Sequence, residues 1–597
     1  MHNFHIPVMG LSYTIDSPIR VAQFGINSVV SIIDDDIIEK MRSFYSKKFN
    51  FDYSEISTKI EDFRAKRITS YLDLLDDIVQ LNFKNFKEDL CNKTEALINF
   101  FDILPETSTL KNELQNIVNK IDDGQENLKR IIENYLNPGA IDVNIMSKID
   151  KTNFDKNIEL PTIHNDAHAS LRGFANSKLT SSVIFSAGMN PRLYSYIEEF
   201  EDFYPDANNK IKKKIILKVS DYRSALIQGN FLAKKGLWVS EYRIESGLNC
   251  GGHAFATEGL LLGPVMEEFK NKKDELYASA FSLMNNALEK KGKRKIVEPL
   301  EMNISVQGGI GTSEEHHFIL SNYNVNSIGW GSPFLLVPEA TSVDPETRDL
   351  LIKAKPEDFY LSDISPLGVP FNAIKGTSNE IIKNEKIANN TFGSSCPKRL
   401  LALNNEFSEK GLCTASRKYQ EEKLRELEAR KHYYPDEIFN KLRNKILSKS
   451  CLCVGLANSC YIEQGLQIKG EKQGVVICPG PNLSFFKKEV SLFDMVKHIY
   501  GSTDILNNNE RPNVFINELK LYVDYFITEV TEFSEEITKN QIKKWTTFKD
   551  NLLKGISYYE ELFESTNYFK NDFNKINLQL NHFKNNIQSI VIPLQTE

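Results

Sequence analysis

The feature that most constrains this chain is a repeated pattern in which a short apolar strand leads into a loop and then a helix. Strands separated by helices run parallel, because each helix returns the chain to the starting edge of the sheet. Eight units of this kind predict an α/β fold, the closed (β/α)8 or TIM barrel. The eight predicted strands lie at residues 6–9, 28–33, 141–146, 182–186, 213–219, 237–244, 302–306 and 327–330.

Glycine-rich loops follow the last three predicted strands. They begin at Asn249-Cys250-Gly251-Gly252-His253, at Gln307-Gly308-Gly309 and at Gly329-Trp330-Gly331-Ser332. Glycine allows the backbone to approach a ligand closely, and its amide can face a phosphate. Because glycine loops after the seventh and eighth strands often hold a phosphate in such barrels, we expect a phosphate-bearing ligand at this end.

Two regions interrupt or extend the barrel, which we assign to residues 1–37 and 138–376. Residues 38–137 lose the strand pattern and carry apolar residues at helical spacing, which predicts an inserted helical subdomain after strand two. This insert is interpreted as a solvated decoration or dimer contact, with an active-site lid as the alternative. A mainly helical extension follows, comprising a cysteine-rich region at 377–510 and a helical region at 511–597.

Charge and hydropathy exclude some classes of protein. A net charge of -7 over 597 residues argues against a general nucleic-acid binder. The basic run at 290–295 is interpreted as a solvated turn, with a nucleic-acid contact as the alternative. No apolar run approaches the roughly 18 residues that span a bilayer, and the first residues lack a signal-peptide pattern. We therefore expect a cytoplasmic protein without a membrane partner.

Six of the eight cysteines lie within residues 396–478. In a reducing compartment such a cluster indicates a metal site or scattered thiols rather than disulfides. Thiolates bind zinc or an iron-sulfur cluster, although none of these cysteines shows the tight spacing of a strong motif. The alternatives are a [4Fe-4S] cluster, a zinc ion or ordinary buried thiols. The candidate metal ligands are Cys396, Cys413, Cys451, Cys453 and Cys478.

Several barrel segments together form the pattern of one protein family. They are Ile216-Leu217-Lys218-Val219-Ser220, Gly251-Gly252-His253, Gln307-Gly308-Gly309-Ile310-Gly311, Gly329-Trp330-Gly331-Ser332-Pro333-Phe334 and the segment 361–370. These motifs resemble the nitronate monooxygenase family of FMN-dependent TIM barrels. A further segment at 476–486 is similar to the related enoyl reductases of polyunsaturated fatty acid and polyketide synthesis.

The resemblance implies FMN as the cofactor and assigns its contacts. Asn144 and Lys218 would face the isoalloxazine ring, and a lysine there would stabilise the reduced, anionic flavin. Met9 and Gly10 would lie along the flavin. The full set of implied cofactor contacts is Met9, Gly10, Asn144, Lys218, Gly251, Gly252, Gly308, Gly309, Gly331 and Ser332, of which the last four would hold the phosphate.

The resemblance also implies two catalytic residues. His253 matches the histidine that removes a proton from the substrate carbon in the family, and a neutral imidazole suits this role. The alternative is a histidine that caps the loop or contacts the flavin. The family usually has an acidic residue close before the Gly-Gly-His motif, whereas Asn249 and Cys250 stand there. Cys250 is either a proton donor or a small buried residue.

The predicted function is that of an FMN-dependent oxidoreductase, a monooxygenase or reductase, with hydride exchange at flavin N5 and His253 as acid or base. The alternatives are a carrier-linked enoyl reductase, a flavin- or metal-dependent factor that modifies a macromolecule such as RNA, and a barrel kept as a binding scaffold. The expected partners are a small-molecule or carrier-bound substrate, NAD(P)H docked at the flavin face, and a second copy of the chain in a homodimer.

Overall fold

The predicted strands form a closed, all-parallel barrel in the computed structural model, which describes residues 2–118, 124–186, 188–249, 258–468, 474–506, 511–531, 533 and 537–592. The first strand pairs with both the second and the last strand, and this pairing closes the barrel. The predicted (β/α)8 fold is therefore confirmed. The barrel strands β1 to β8 are Phe4–Ile6, Asn27–Ser31, Ile141–Ile145, Ser181–Phe185, Lys213–Val219, Val239–Glu245, Asn303–Gln307 and Ser327–Gly329.

Helices surround the barrel and form most of the extension. In the first part of the chain they are α1 (Ser17–Val21), α2 (Asp35–Phe49), α3 (Phe63–Asn92), α4 (Thr94–Asp102), α5 (Thr109–Val118), α6 (Gly124–Tyr135), α7 (Asp166–Ala175), α8 (Pro191–Tyr196), α9 (Tyr222–Ala233), α10 (Leu262–Lys290), α11 (Ser313–Tyr323) and α12 (Pro345–Lys353). Later come α13 (Ser378–Ala388), α14 (Arg417–Ala429), α15 (Asp436–Leu447), α16 (Leu452–Glu463), α17 (Leu492–Tyr500), α18 (Val514–Thr531), α19 (Lys539–Ser565) and α20 (Phe573–Ser589). Within the described ranges, none of these helices has the length and apolarity needed to cross a membrane.

Two small antiparallel hairpins lie outside the barrel. One joins Phe154–Asp155 to Ile158–Glu159 in the loop after β3. The other joins β9 (Phe359–Ser362) to β10 (Phe371–Ile374) at the start of the extension.

The longest helix of the predicted insert, α3, belongs to the outer layer of the barrel. It packs against α1 and α7, the helices on either side of its place in the ring. The Thr69 hydroxyl donates to the Gly173 carbonyl at 2.8 Å, and a Cβ at Gly173 would lie only 2.7 Å from Ile68 Cβ. Close packing at this glycine thus makes α3 the helix that connects β2 to β3, rather than a decoration on top of the barrel.

The inside of the barrel combines a small apolar layer with a polar network. Val29, Ile184 and Ile216 form the apolar layer. In the polar network, the Arg243 guanidinium lies 2.8 Å from Glu241 and donates to the Ser305 hydroxyl at 3.2 Å. A further set of interior polar side chains includes His5, whose Nδ1 lies 3.0 Å from the Ser327 hydroxyl, and Asp142. Burial, opposed by Arg243, raises the pKa of Asp142 to about 6.

The cysteine-rich region packs onto the loops at the carboxyl ends of the strands. Lys398 pairs with Asp34, after β2, at 2.5 Å, and neither side chain is more than 4% exposed. In the loop after β1, the Ser12 hydroxyl donates to the Leu456 carbonyl at 2.7 Å, and the Tyr13 hydroxyl donates to the Val476 carbonyl. The extension and the barrel therefore share one continuous hydrophobic core.

Candidate functional site

Four polar side chains stand at the carboxyl ends of barrel strands: Asn144 on β3, and Lys218, Glu245 and Gln307 on the consecutive strands β5, β6 and β7. Glu245 connects most of them. Its Oε1 lies 3.1 Å from Lys218 Nζ, and accepts from Gln307 Nε2 at 2.6 Å and from Asn249 Nδ2 at 2.7 Å. One carboxylate oxygen therefore fixes side chains from two strands and from the loop after β6.

The Lys218–Glu245 pair is mostly withdrawn from water, with side chains 11% and 17% exposed. Screening by solvent and salt is weaker for such a pair than for charges on the surface. Glu245 therefore holds the Lys218 ammonium group in a fixed position at the barrel mouth, and its contact with a flavin stays a prediction. Glu245 was not assigned a role from the sequence, although its position as the last residue of β6 was a usable signal.

Two buried polar atoms at the carboxyl ends of β2 and β3 have no hydrogen-bond partner among the described residues. They are the Ser31 hydroxyl and Asn144 Oδ1, on residues that face each other across β2 and β3. A buried polar atom without a partner costs roughly 1–3 kcal/mol, so each such atom calls for a ligand or an ordered water. The β2–β3 edge of the mouth is thus equipped to hydrogen-bond a bound group.

The predicted phosphate glycines also have reasons of packing for being glycine. Gly308 and Gly309 have φ values of 111° and 84°, which residues other than glycine rarely adopt. A Cβ at Gly308 would lie 3.0 Å from the Asn249 amide nitrogen, and one at Gly309 would lie 2.5 Å from a Leu248 methyl carbon. Close contact with the loop after β6 therefore accounts for both glycines, and their phosphate contacts stay a prediction.

The other predicted cofactor contacts lie under the extension. Met9 is fully buried, and its amide donates to the Thr14 hydroxyl at 3.4 Å. Gly10 has a φ of 57°, and a Cβ there would lie 2.8 Å from the Tyr13 ring. Ser332, which follows Gly331, accepts a hydrogen bond from the Gly480 amide at 3.1 Å. The segment around Gly480 therefore covers the predicted phosphate loop after β8.

A buried ion pair that the sequence did not reveal lies against the loop after β7. The Arg511 guanidinium lies 2.7 Å from Glu315 and donates to the Gly309 carbonyl at 2.7 Å. The same carboxylate accepts from the Gly311 amide at 2.9 Å. The side chains of Arg511 and Glu315 are 4% and 1% exposed, so the positive charge beside this loop is balanced within the chain.

The predicted catalytic residues Cys250 and His253, with Gly251 and Gly252 between them, lie outside the described residues. Both ends of their loop are described, and one side chain holds them. Glu518 on α18 accepts from the Ser246 hydroxyl at 2.7 Å through Oε1, and from the Leu262 amide at 2.7 Å through Oε2. Burial, opposed by these hydrogen bonds, raises the pKa of Glu518 to about 7. Helix α18 thus holds both described ends of the loop that contains the predicted catalytic residues.

Four of the five predicted metal ligands lie close together in the extension. A hydrogen bond from Cys413 lowers the pKa of Cys396 to about 7, against the effect of burial. Burial, then Cys451 and Cys396, raise the pKa of Cys453 well above its ordinary value. Cys478 is also buried. No set of three or more His, Cys, Asp or Glu side chains in the described ranges is arranged to hold a metal ion.

Comparison with known proteins adds no assignment to this geometry. No protein-family model matches the chain, and no curated protein matches it.

Proposed function

We propose that the mouth of the barrel binds FMN and that the protein is a flavin-dependent oxidoreductase. The observation that carries this proposal is that the same barrel mouth holds two features. Two buried polar atoms, Ser31 Oγ and Asn144 Oδ1, lack a partner among the described residues, and the Lys218–Glu245 ion pair holds a cation in place. A heteroaromatic ring with both donors and acceptors suits such an edge. FMN supplies hydride exchange at its N5 atom when bound.

The chain's own residues have distinct roles in this proposal. Asn144 Oδ1 accepts a hydrogen bond from the ring, and Lys218 provides the cation that favours a reduced, anionic ring. Glu245 positions Lys218 through the 3.1 Å contact between them. His253 acts as the acid or base at the substrate carbon, in a loop whose ends Glu518 anchors.

FMN binding is tested by titrating the purified chain with FMN and following quenching of flavin fluorescence and the visible spectrum. We expect Lys218→Met to weaken FMN binding by at least about tenfold, because one charge contact is worth more than about 1.4 kcal/mol in a site with little water. Lys214→Met is the matched control, because Lys214 lies near the opposite end of the same strand and is 45% exposed. A chain that neither retains flavin nor takes up FMN contradicts the proposal.

The reaction class is tested separately on the flavin-loaded chain. Oxygen uptake with an alkyl nitronate supports a monooxygenase, and oxidation of NADH or NADPH with an enoyl thioester supports a carrier-linked reductase. His253→Ala should abolish turnover while leaving the flavin spectrum intact. Cys250→Ala should lower turnover if Cys250 is a proton donor, and leave turnover unchanged if Cys250 is only a small buried residue. Copurification of RNA with either activity would favour the alternative of a macromolecule-modifying factor.

A second centre in the same protein, a [4Fe-4S] cluster or zinc held by Cys396, Cys413, Cys451 and Cys453, stays a proposal from the sequence, and the arrangement of these side chains in the described ranges does not itself favour it. Anaerobic purification followed by iron, zinc and acid-labile sulfide analysis tests it. Cys413→Ser should remove the bound metal if the centre exists, and Ser408→Ala, at a half-buried position of the same region, should not. Protein without stoichiometric metal would make these cysteines ordinary thiols. The proposal also includes a cytoplasmic setting, where free thiols persist.

A further inference from the structure

Gln307 connects the ion pair at the barrel mouth to the other side of the barrel interior. Its Nε2 donates to Glu245 Oε1 at 2.6 Å, and the residue is only 1% exposed. Lys218 Nζ lies 3.1 Å from the same oxygen. Because a carboxylate beside an ammonium group only accepts hydrogen bonds, this contact fixes which end of the Gln307 amide faces Glu245. The amide oxygen must then face another partner.

That oxygen meets the imidazole of His5 beside Gly329. In the strand register, Gly329 lies between Gln307 on β7 and His5 on β1. A Cβ at Gly329 would lie 3.3 Å from Gln307 Oε1 and 2.9 Å from His5 Nε2. Both atoms are buried, and neither has a hydrogen bond of standard geometry with a described residue. Each is therefore the available partner of the other.

The charge state of His5 decides what its imidazole offers to Gln307. Burial, and then Arg243, lower the pKa of His5 well below its ordinary value, against the effect of Gln307. The ring is therefore neutral at pH 7 and has a single N–H group. Its Nδ1 lies 3.0 Å from the Ser327 hydroxyl, which can donate to it. The proton then belongs on Nε2, the atom next to Gln307 Oε1.

One line of donors therefore crosses the barrel interior and ends on Glu245. It runs from the Ser327 hydroxyl through the His5 imidazole and the Gln307 amide. Hydrogen bonds that point in the same direction strengthen each other where little water is present. The line thus favours the ionised form of Glu245, which is the form that holds Lys218.

We propose that Gln307 and His5 are positioning residues for the Lys218 ammonium group. His5 orients the Gln307 amide, Gln307 fixes Glu245, and Glu245 holds Lys218. The consequence for a flavin rests on the proposed function, whereas the consequence for the position of Lys218 does not.

Acetylation of the flavin-free full chain, followed by mass spectrometry, tests the position of Lys218. In the parent chain Lys218 should react slowly, because its side chain is 11% exposed and in contact with Glu245. We expect Gln307→Leu to accelerate its acetylation at least about tenfold, because a hydrogen bond to a charged group is lost. Lys214, on the same strand and 45% exposed, is the internal reference and should react at the same rate in both chains.

Further variants separate the polar contacts from packing. Gly329→Ala keeps every polar group but places a Cβ 2.5 Å from Gln307 Cβ, so it should displace Gln307 and also accelerate acetylation of Lys218. His5→Leu should have the same effect, whereas His5→Gln, which keeps an N–H donor, should resemble the parent chain. Asn303→Leu is the matched control, because Asn303 begins β7 and donates to exposed Glu301 at 3.0 Å.

The midpoint potential of the flavin-loaded chain tests the consequence for the cofactor. Lys218→Met and Gln307→Leu should both lower it, because a held cation stabilises the reduced, anionic flavin. The double variant should match Lys218→Met alone, since Gln307 acts through Lys218. Additive shifts, or unchanged acetylation of Lys218 in the Gln307 and Gly329 variants, would overturn the inference. A chain that binds no FMN contradicts the proposed function alone, and the acetylation rates then decide whether Gln307 and His5 position Lys218.

Discussion

Glu518 provides a sharp test of how the extension holds the barrel, through the pH dependence of stability. Its carboxyl is 1% exposed, and burial raises its pKa from 4.5 to about 7. A carboxyl with a raised pKa in the folded state stabilises the fold below its unfolded pKa and loses that contribution as pH rises through the folded value. We therefore expect the free energy of unfolding to fall by roughly 3 kcal/mol from pH 4.5 to pH 7 on account of this group.

The assay is denaturant unfolding at a series of pH values, with the parent chain and Glu518→Gln compared. Glutamine accepts from the Leu262 amide and donates to the Ser246 hydroxyl without titrating, so this variant should lack that part of the pH dependence. Asp524→Asn is the control, because Asp524 lies on the same helix and is 56% exposed in an ion pair with Lys520. Identical pH profiles for Glu518→Gln and the parent chain would refute this account of the loop anchor.

Three further predictions concern other parts of the chain. Arg511→Ala should lower the free energy of unfolding by roughly 3–5 kcal/mol in denaturant melts, because it leaves Glu315 as a buried, uncompensated charge. Equal losses of stability in Arg511→Ala and Arg511→Lys would contradict this. A hydrogen bond from a neighbouring thiol lowers the pKa of Cys396 to about 7. Cys396 should therefore be alkylated at pH 7 at least about tenfold faster than buried Cys453, as followed by mass spectrometry, and equal rates would disprove the lowered pKa. Gly139→Ala should lower the free energy of unfolding by at least about 2 kcal/mol, because its Cβ would lie 2.0 Å from a backbone carbonyl oxygen. A variant as stable as the parent chain in thermal or denaturant unfolding would show that the backbone moves to make room for the methyl group.

The strands of the barrel were predictable because their signal is local. Lys213–Val219 begins and ends at the predicted residues, because a short run of isoleucine, leucine and valine between polar loops is typical of a buried strand. The first strand was predicted at 6–9 but spans Phe4–Ile6, because Pro7 has no amide proton for the ladder. The role of α3 in the outer ring was not predictable, since apolar residues recur at the same spacing in an inserted helix and in a barrel helix.

The site was predictable only in part, because its side chains meet through pairing between distant segments. Lys218 was assigned through resemblance, whereas its partner Glu245 depends on the register of β5 against β6. Register decides which side chains share the inside of the barrel, and one sequence does not contain it. Glu518 lies 272 residues after Ser246 in the chain, so no local sequence pattern predicts the contact between them.

The distance in sequence between Glu518 and the loop it anchors has a consequence for biosynthesis. Leu262 leaves the ribosome 256 residues before its hydrogen-bond partner does. At typical rates of about 5–20 residues per second, this interval lasts roughly 10–50 s, long enough for the strands to associate first. The nascent protein therefore has its barrel strands before its loop anchor, and the two ends of this loop are held together only after Glu518 has been synthesised.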